Sequence, residues 1–254
     1  MTTHRRRAAV LLALLLAGAH ASAQQAALRV VATNSWTAAL ASAAGATTIV
    51  TLAPSTLRHP AEYDLKPSDV ELLSGADLIV YTGFEVMAKK LADAAGTRKI
   101  RLLQIGADYS LATMRASLMA IAAVTGTTDM ARKNMAALEA FMGSWKDELR
   151  ATRVYGAPIL VHVFQQPLMA ELGFTIKGVF GPDPLEAAQI TRLSAEDVRL
   201  VVDNWHNEDA APLKETMKKA HFASLINFPG PAGTLSLLDV LIEDRARLKA
   251  AAGY

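Results

Sequence analysis

The chain has 254 residues, a formal net charge of +2 at pH 7 and no cysteine. The absence of cysteine excludes disulfide bonds, zinc sites built from thiolates and a cysteine nucleophile. It also leads us to expect no lipid anchor attached through a cysteine thiol. The small net charge gives no support to nucleic-acid binding or to a polybasic membrane contact.

Residues 1–23 have the pattern of a secretory signal peptide. Arginines at positions 5–7 precede an apolar run over residues 8–19, and Ala-Ser-Ala at 21–23 is a small-residue cleavage pattern. The apolar run is shorter than the roughly 20 residues that span a bilayer. Cleavage after Ala23 would remove the arginines and reverse the sign of the net charge. We therefore expect an exported, periplasmic protein without a lipid anchor.

Short apolar runs alternate with helical patterns in the first half of the chain. Residues 68–76 are predicted to be a helix, with Ser68 as its cap and Glu71 completing a capping box. Residues 86–96 form an amphipathic pattern that ends at glycine, which predicts a second helix. The runs predicted to be strands are 27–33, 47–53, 76–83 and 99–105. This alternation is typical of a parallel sheet covered by helices on both faces.

The pattern changes at about residue 111, and strands return only after Arg153. In between, apolar residues recur at helical spacing and Gly126 interrupts the helical stretch; the stripe is Met135, Leu138, Met142, Trp145 and Leu149. Beyond it, Ser194 with Asp197 is predicted to open a helix, and a last helix covers 235–250. The later strands are predicted at 157–164, 174–181, 198–204 and 222–228.

These patterns predict an α/β fold with two lobes. Each lobe is expected to be a mainly parallel sheet flanked by helices, and a long helical linker joins them. The predicted boundaries are 24–108 for the first lobe, 109–153 for the linker and 154–254 for the second lobe.

Candidate metal ligands lie at or just beyond the predicted strand ends, where open parallel sheets bind ligands. His59 and Glu62 follow the strand at 47–53, and His162 lies late in the strand at 157–164. Asp203 and His206 lie at the end of the strand at 198–204. Imidazole nitrogens and a carboxylate suit zinc, or manganese if more oxygens join. We predict that the three histidines, with Glu62 or Asp203, bind Zn²⁺ between the lobes, with Mn²⁺ as the second choice.

Other interpretations of the same residues stay open. His59 could be a surface loop residue, His162 a core residue and His206 a turn residue. A metallohydrolase could be built from histidine and aspartate, although the GxSxG, HExxH and P-loop patterns are absent. The cleft could instead hold a small polar or anionic molecule, through the side chains of Arg58, Gln165, Gln166 and Asn227.

The chain resembles the solute-binding receptors of zinc and manganese ABC importers, known as cluster A-I, from about residue 31 to the C-terminal helix. The segments that carry the resemblance are VVATNSW at 30–36, EYDLKPSDVELLSGADLIVYTG at 62–83, VHVFQQPLMAELGF at 161–174 and GPDPLEAAQITRLSAEDVRLVVDN at 181–204.

The resemblance implies a non-enzymatic receptor, expected as a monomer, that delivers a divalent metal to an ABC permease and does not bind nucleic acid. It also implies a linker that limits the lobes to small tilts. Of the family's ligand positions, the first histidine falls on Ala61 and the third on His162. The second falls near Asp108, where no imidazole is present, and the final acid falls on Asn227. His59 and His206 are the candidate replacements for the missing ligands. A metal chaperone for an exported enzyme is a further alternative.

Overall fold

The computed structural model describes residues 27–95 and 99–254, so the predicted signal peptide lies outside the described residues. The described residues form two four-stranded sheets whose paired strands are all parallel. The strand order is 2-1-3-4 in the first sheet and 6-5-7-8 in the second. The strands are β1 (Arg29–Ala32), β2 (Thr48–Thr51), β3 (Leu78–Tyr81), β4 (Arg101–Gln104), β5 (Pro158–His162), β6 (Thr175–Phe180), β7 (Leu200–Asn204) and β8 (His221–Leu225).

Helices flank both sheets, and two long helices in succession connect the first sheet to the second. The helices are α1 (Ser35–Ala43), α2 (Pro67–Ser74), α3 (Leu91–Ala95), α4 (Leu111–Thr125), α5 (Thr128–Arg150), α6 (Gln166–Leu172), α7 (Ala187–Ser194), α8 (Ala211–Thr216) and α9 (Leu237–Ala252), with 3-10 turns at Pro60–Glu62 and Val86–Lys90. Gly126 separates the two connecting helices in the left-handed conformation, with a φ of 75°. Within the described ranges, no helix combines the length and the apolar character needed to cross a membrane.

The two-lobe α/β fold with a helical linker is confirmed, and each predicted strand is present but shorter than predicted, with β8 beginning one residue before its predicted start. Three helix predictions need correction. Helix α2 begins at Pro67 instead of using Ser68 as its cap, and the Asp69 carboxylate accepts the backbone N–H of Lys66 at 2.8 Å. Ser194 ends α7 and does not open a helix. The helix predicted at 86–96 is a 3-10 turn followed by α3, and its predicted glycine end lies outside the described residues.

One continuous core connects both sheets through the linker. Val30 of β1, Leu118 of α4, Trp145 of α5 and Val161 of β5 belong to the same buried cluster and are fully shielded from solvent. Smaller clusters cover the opposite face of each sheet. Because the linker helices pack as part of this core, a large lobe rotation would have to expose buried apolar side chains.

Asp244 of α9 is a buried carboxyl group that holds the end of the last strand. Its side chain is inaccessible to solvent, and Oδ1 accepts the backbone N–H of Ile226 at 2.8 Å. Oδ2 has no hydrogen-bond partner among the described residues. Burial is the main reason that the pKa of Asp244 lies well above its usual value. The carboxyl group therefore gains a proton on folding over a range of pH in which the unfolded chain has lost it.

We expect Asp244→Asn to raise the free energy of unfolding at pH 8 by about 1 kcal/mol or more, because no buried charge then has to form. The raised pKa in the folded state means that the wild type loses stability as pH rises above the usual aspartate range. The variant should lose that part of the pH dependence. Urea unfolding at pH 5 and pH 8 would measure both effects.

Asp239→Asn, in the first turn of the same helix, is a matched control, because its expected effect on stability at pH 8 has the opposite sign. The Asp239 carboxylate accepts the backbone N–H groups of Leu235 and Ser236, and these contacts lower its pKa. Its stabilising contribution is present at neutral pH and is lost as pH falls, so this variant should be less stable at pH 8. Equal behaviour of the two variants would contradict the assignment of Asp244.

Candidate ligand-binding cleft

A cavity of about 360 Å³ lies between the two lobes, against the start of the linker. It lies at the carboxyl ends of β1, β3, β5 and β8. The strand order reverses between β1 and β3 in the first sheet and between β5 and β7 in the second. Open α/β sheets bind ligands at such reversals. The cavity is lined by Trp36, Ala61, Phe84, Ala107, Asp108, Val163, Phe164, Pro167, Asn227 and Phe228.

Trp36 is positioned by the cap of α1, directly after β1. Asn34 caps the helix, and its Oδ1 accepts the backbone N–H groups of Trp36 and Thr37, each at 3.0 Å. The indole ring stacks on Tyr109 at 5.2 Å and meets the edge of Phe228 at 5.2 Å between centroids. The Trp36 side chain thus joins the first lobe, the start of the linker and the second lobe.

Asn227 and Tyr109 connect the second lobe to the linker beside this cavity. The Tyr109 hydroxyl donates to the backbone carbonyl of Asn227 at 3.2 Å, and the backbone N–H of Asn227 donates to Nδ1 of His206 at 3.4 Å. Asp108 precedes Tyr109 and braces the start of α4, which Ser110 caps; its Oδ1 accepts the Ser110 N–H and its Oδ2 accepts the Thr113 hydroxyl. The backbone on both sides of the cleft is therefore fixed by hydrogen bonds.

Three phenylalanines follow strand ends and form much of the cavity wall. Phe84 follows β3, Phe164 follows β5 and Phe228 follows β8. Phe84 and Phe164 are 54% and 43% exposed, although both are large apolar side chains. Sequence reasoning missed them because it searched the strand ends for polar and ionisable residues only. The detectable signal was an aromatic residue two to three positions after each of these strands.

His162 is fully buried, and both of its ring nitrogens are engaged. Nδ1 accepts the backbone N–H of Phe164 at 3.1 Å, so the ring proton is on Nε2, which lies 3.2 Å from Oδ2 of Asp209. Burial lowers the pKa of His162 to about 4, and burial followed by the charges of Asp203 and Asp183 raises that of Asp209 to about 6. At neutral pH a neutral imidazole therefore donates to a carboxylate.

Asp203 is buried and closes the turn that follows β7. Its Oδ1 accepts the backbone N–H groups of Asn204 and Asp209, and its Oδ2 accepts that of Ala210 at 3.0 Å. Burial raises the pKa of Asp203, and these three hydrogen bonds oppose the rise. The carboxylate is used to hold the loop that carries Asp209 behind His162.

His206 is buried between two aromatic rings, with centroid distances of 4.8 Å to Trp205 and 5.0 Å to Phe228. Burial is the first cause that lowers its pKa to about 3, and the charges of His59 and Arg58 lower it further. His59 itself is exposed. Arg58 lies 5.0 Å above the Trp205 ring and donates to Glu208 at 2.8 Å. The loop after β2 thus contacts the loop after β7.

The structure does not bring the five predicted ligands into one group. Glu62 is exposed on its 3-10 turn, and His162 and Asp203 are held by contacts within the second lobe. Within residues 27–95 and 99–254, no three or more His, Asp or Glu side chains are arranged to hold a metal ion. Of the residues considered for an anionic ligand, Gln165 donates to Asn204 and Arg58 is paired with Glu208, while Asn227 lines the cavity.

Comparison with known proteins gives structural similarity at low sequence identity. No family model matches the chain, and no curated protein sequence matches it. The laminin-binding protein Lbp of Streptococcus pyogenes superimposes with a TM-score of 0.69 at 14% identity, covering 89% of this chain and 98% of that one. The SBP FpvC from Pseudomonas aeruginosa, solved in complex with Mn²⁺, gives a TM-score of 0.69 at 16% identity, covering 89% and 99%.

A third solved structure, a periplasmic metal binding protein from Candidatus Liberibacter asiaticus, gives a TM-score of 0.67 at 14% identity. It covers 88% of this chain, and this chain covers 99% of it. The match therefore includes both lobes and the linker, and not one sheet alone. The chain thus shares the fold of these three proteins over both lobes and the linker.

Proposed function

We propose that this protein is an exported solute-binding receptor that captures its cargo between the two lobes and delivers it to an ABC importer in the inner membrane. The observation that carries the proposal is the cavity of about 360 Å³ at the strand ends, walled by both lobes and by the start of the linker. A solute held there would contact both lobes and the start of the linker. The role is binding without turnover, in a monomer that acts in the periplasm.

The nature of the linker supports a receptor with small lobe motions. Helices α4 and α5 share buried core with both sheets, and Trp36, Tyr109 and Phe228 pack against one another across the cleft. Closure around a solute would then consist of side-chain and loop adjustments near the cavity. The loop that carries Arg58 and the loop that carries Glu208 already bridge one side of it.

Cross-linking in intact cells tests the receptor role without knowledge of the cargo. A photo-reactive residue at exposed position Leu57, within the loop after β2, would be activated and the cross-linked partner identified by mass spectrometry. Recovery of an ABC permease supports the proposal. Recovery of an exported metalloenzyme instead would favour a metal chaperone, and hydrolysis of esters or amides by the purified protein would favour a metallohydrolase.

A divalent cation is the second candidate, as cargo of the same receptor. FpvC was solved with Mn²⁺, and the Liberibacter protein is described as metal binding. On this chain the supporting observation is His206, whose Nδ1 accepts the backbone N–H of Asn227 and whose pKa is lowered by burial and in part by the charge of His59. Two imidazoles favour Zn²⁺ over Mn²⁺. Glu62 or another carboxylate would have to move to complete the shell.

Titration with Zn²⁺ and Mn²⁺ tests the cation as cargo, with the melting temperature and the emission of Trp205 as readouts. If Zn²⁺ is the cargo, His206→Ala should abolish the melting-temperature shift, and His221→Ala, at an exposed position on β8, should retain it. Because the pKa of His206 is about 3, protons should compete with the metal only in strongly acidic solution. Absence of any shift with both metals would reject the cation and leave the receptor role intact.

A further inference from the structure

We propose that the second lobe carries a separate binding site for a small phosphate monoester with an apolar or aromatic group, in a cavity at the amino ends of its strands. This site goes beyond the proposed receptor role and does not depend on it. The inference is carried by the cavity, by two arginines without partners and by an apolar wall beside them.

The cavity has a volume of about 330 Å³ and lies at the end of the second sheet that is opposite to the cleft. Arg153 belongs to the segment that leads from α5 into β5, and Arg199 directly precedes β7. Strands β5 and β7 are neighbours in the sheet, so their amino ends lie side by side. The end of α9 at Ala252 and the following residues up to Tyr254 close the cavity. Pockets for small molecules begin at about 300 Å³, so this cavity has room for one small organic molecule.

Both arginines that line the cavity have side chains without a partner. Arg153 and Arg199 are exposed, and neither guanidinium group forms an ion pair or a hydrogen bond within residues 27–95 and 99–254. Six other arginines of the described ranges form ion pairs with carboxylates: Arg58, Arg115, Arg132, Arg150, Arg245 and Arg247.

The lining of this cavity has an excess of positive charge. It contains two arginines and, in the part of the chain that the structure describes, no aspartate or glutamate. The α-carboxylate of Tyr254 would offset one of the two charges at most. A concave surface of this kind attracts anions from solution.

Two guanidinium groups suit a phosphate monoester better than they suit a carboxylate. A guanidinium group presents a planar fork of N–H donors that matches a pair of phosphate oxygens. A phosphate monoester has three free oxygens and a charge of about −1.5 to −2 at pH 7. Two arginines can therefore bind it together, whereas a carboxylate has a single charge and two oxygens to share between them.

Apolar side chains and an aromatic ring give the cavity an uncharged wall. Val154, Ala157 and Leu200 line it, together with Tyr254. The Tyr254 hydroxyl accepts the indole N–H of Trp145 at 2.9 Å, and this contact holds the phenol ring in place. Such a wall can cover the organic part of a ligand while the arginines hold its phosphate. The lining of the cleft, by contrast, contains an aspartate and, within the described ranges, no lysine or arginine.

Calorimetric titration of the full protein with phenyl phosphate tests the proposal. We expect phenyl phosphate to bind, and we expect inorganic phosphate, which lacks the ring, and phenol, which lacks the charge, to bind roughly tenfold more weakly or worse. The double variant Arg153→Gln with Arg199→Gln should weaken phenyl phosphate binding by roughly tenfold or more, because charge-assisted contacts are lost. Arg101→Gln, at an exposed arginine on β4 of the first lobe, should leave it unchanged.

Vesicle flotation identifies the source of the phosphate monoester, because the headgroup of phosphatidic acid has the same chemistry as a soluble monoester. The vesicles would consist of phosphatidylcholine with or without phosphatidic acid. Flotation that requires phosphatidic acid and is lost in the double variant would assign the site to a lipid headgroup. Phenyl phosphate binding without flotation would assign it to a soluble ligand.

Failure of phenyl phosphate to bind, binding that survives the double variant, or equal binding of phenol would overturn the site. Inorganic phosphate that binds as tightly as phenyl phosphate would overturn the organic part of the ligand class. None of these outcomes changes the result expected from cross-linking at Leu57, so the receptor role is tested separately.

Discussion

Replacing Trp145 with alanine should lower the free energy of unfolding by about 3–5 kcal/mol, the range measured for truncation of a large buried aromatic side chain. Trp145 is inaccessible to solvent in the middle of α5, and its Nε1 donates to the Tyr254 hydroxyl at 2.9 Å. It belongs to the cluster that connects both sheets. Because the linker packs into both lobes, the cavity left behind would weaken the whole molecule.

Urea unfolding followed by far-ultraviolet circular dichroism measures the effect without relying on tryptophan emission. Trp145→Phe is the matched control, since it keeps an aromatic ring and loses the N–H donor, and it should cost about 1–2 kcal/mol. A loss below 1 kcal/mol for Trp145→Ala, or two separate unfolding transitions in the wild type, would contradict the single core that we assign to the lobes and linker.

Local patterns predicted most of the architecture because each element carries its own signal. The β-rich runs of β1, β3, β5 and β7 lie in the interior of parallel sheets, where strands are apolar throughout. The apolar stripe that contains Trp145 could be predicted from helical spacing alone. Helix α1 was missed because it is short and directly follows β1, so that its beginning looked like the continuation of a strand. Ser194 was misread because serine with an acid three positions later can occur where no helix follows, and here it ends α7.

The position of the candidate cleft could be predicted from topology, but the state of its side chains could not. Topology located the strand ends correctly, and residues 61, 108 and 227, to which the resemblance assigned the family's ligand positions, all line the cavity. Whether His162 is free to bind a ligand depends on Asp209, which lies 47 positions away in the chain. That partner is set by the turn that Asp203 holds. No spacing rule could reveal that both nitrogens of His162 and both oxygens of Asp203 were already occupied.

Glu85 has a structural role in the first lobe that mirrors that of Asp203 in the second. It is 3% exposed, and its carboxylate accepts hydrogen bonds from the Thr33 hydroxyl, the Asn34 amide and the backbone N–H groups of Thr82 and Gly83. These donors belong to the segments that leave β1 and β3. The carboxylate therefore fixes the two loops that carry Trp36 and Phe84 into the cleft.

Glu85→Ala should lower the free energy of unfolding by about 3–5 kcal/mol, because several buried donors lose their acceptor at once and each unsatisfied group costs about 1–3 kcal/mol, less where water can enter. Urea unfolding measures this loss of stability.

Glu85→Gln separates shape from hydrogen bonding, because it keeps the volume and one acceptor oxygen but turns an NH₂ group toward N–H donors. It should be less stable than the wild type and more stable than Glu85→Ala. Glu71→Ala, at an exposed position on α2, is the control for loss of an acidic side chain and should change stability by less than about 0.5 kcal/mol. If Glu85→Ala proved as stable as Glu71→Ala, the carboxylate would not be the group that holds these loops.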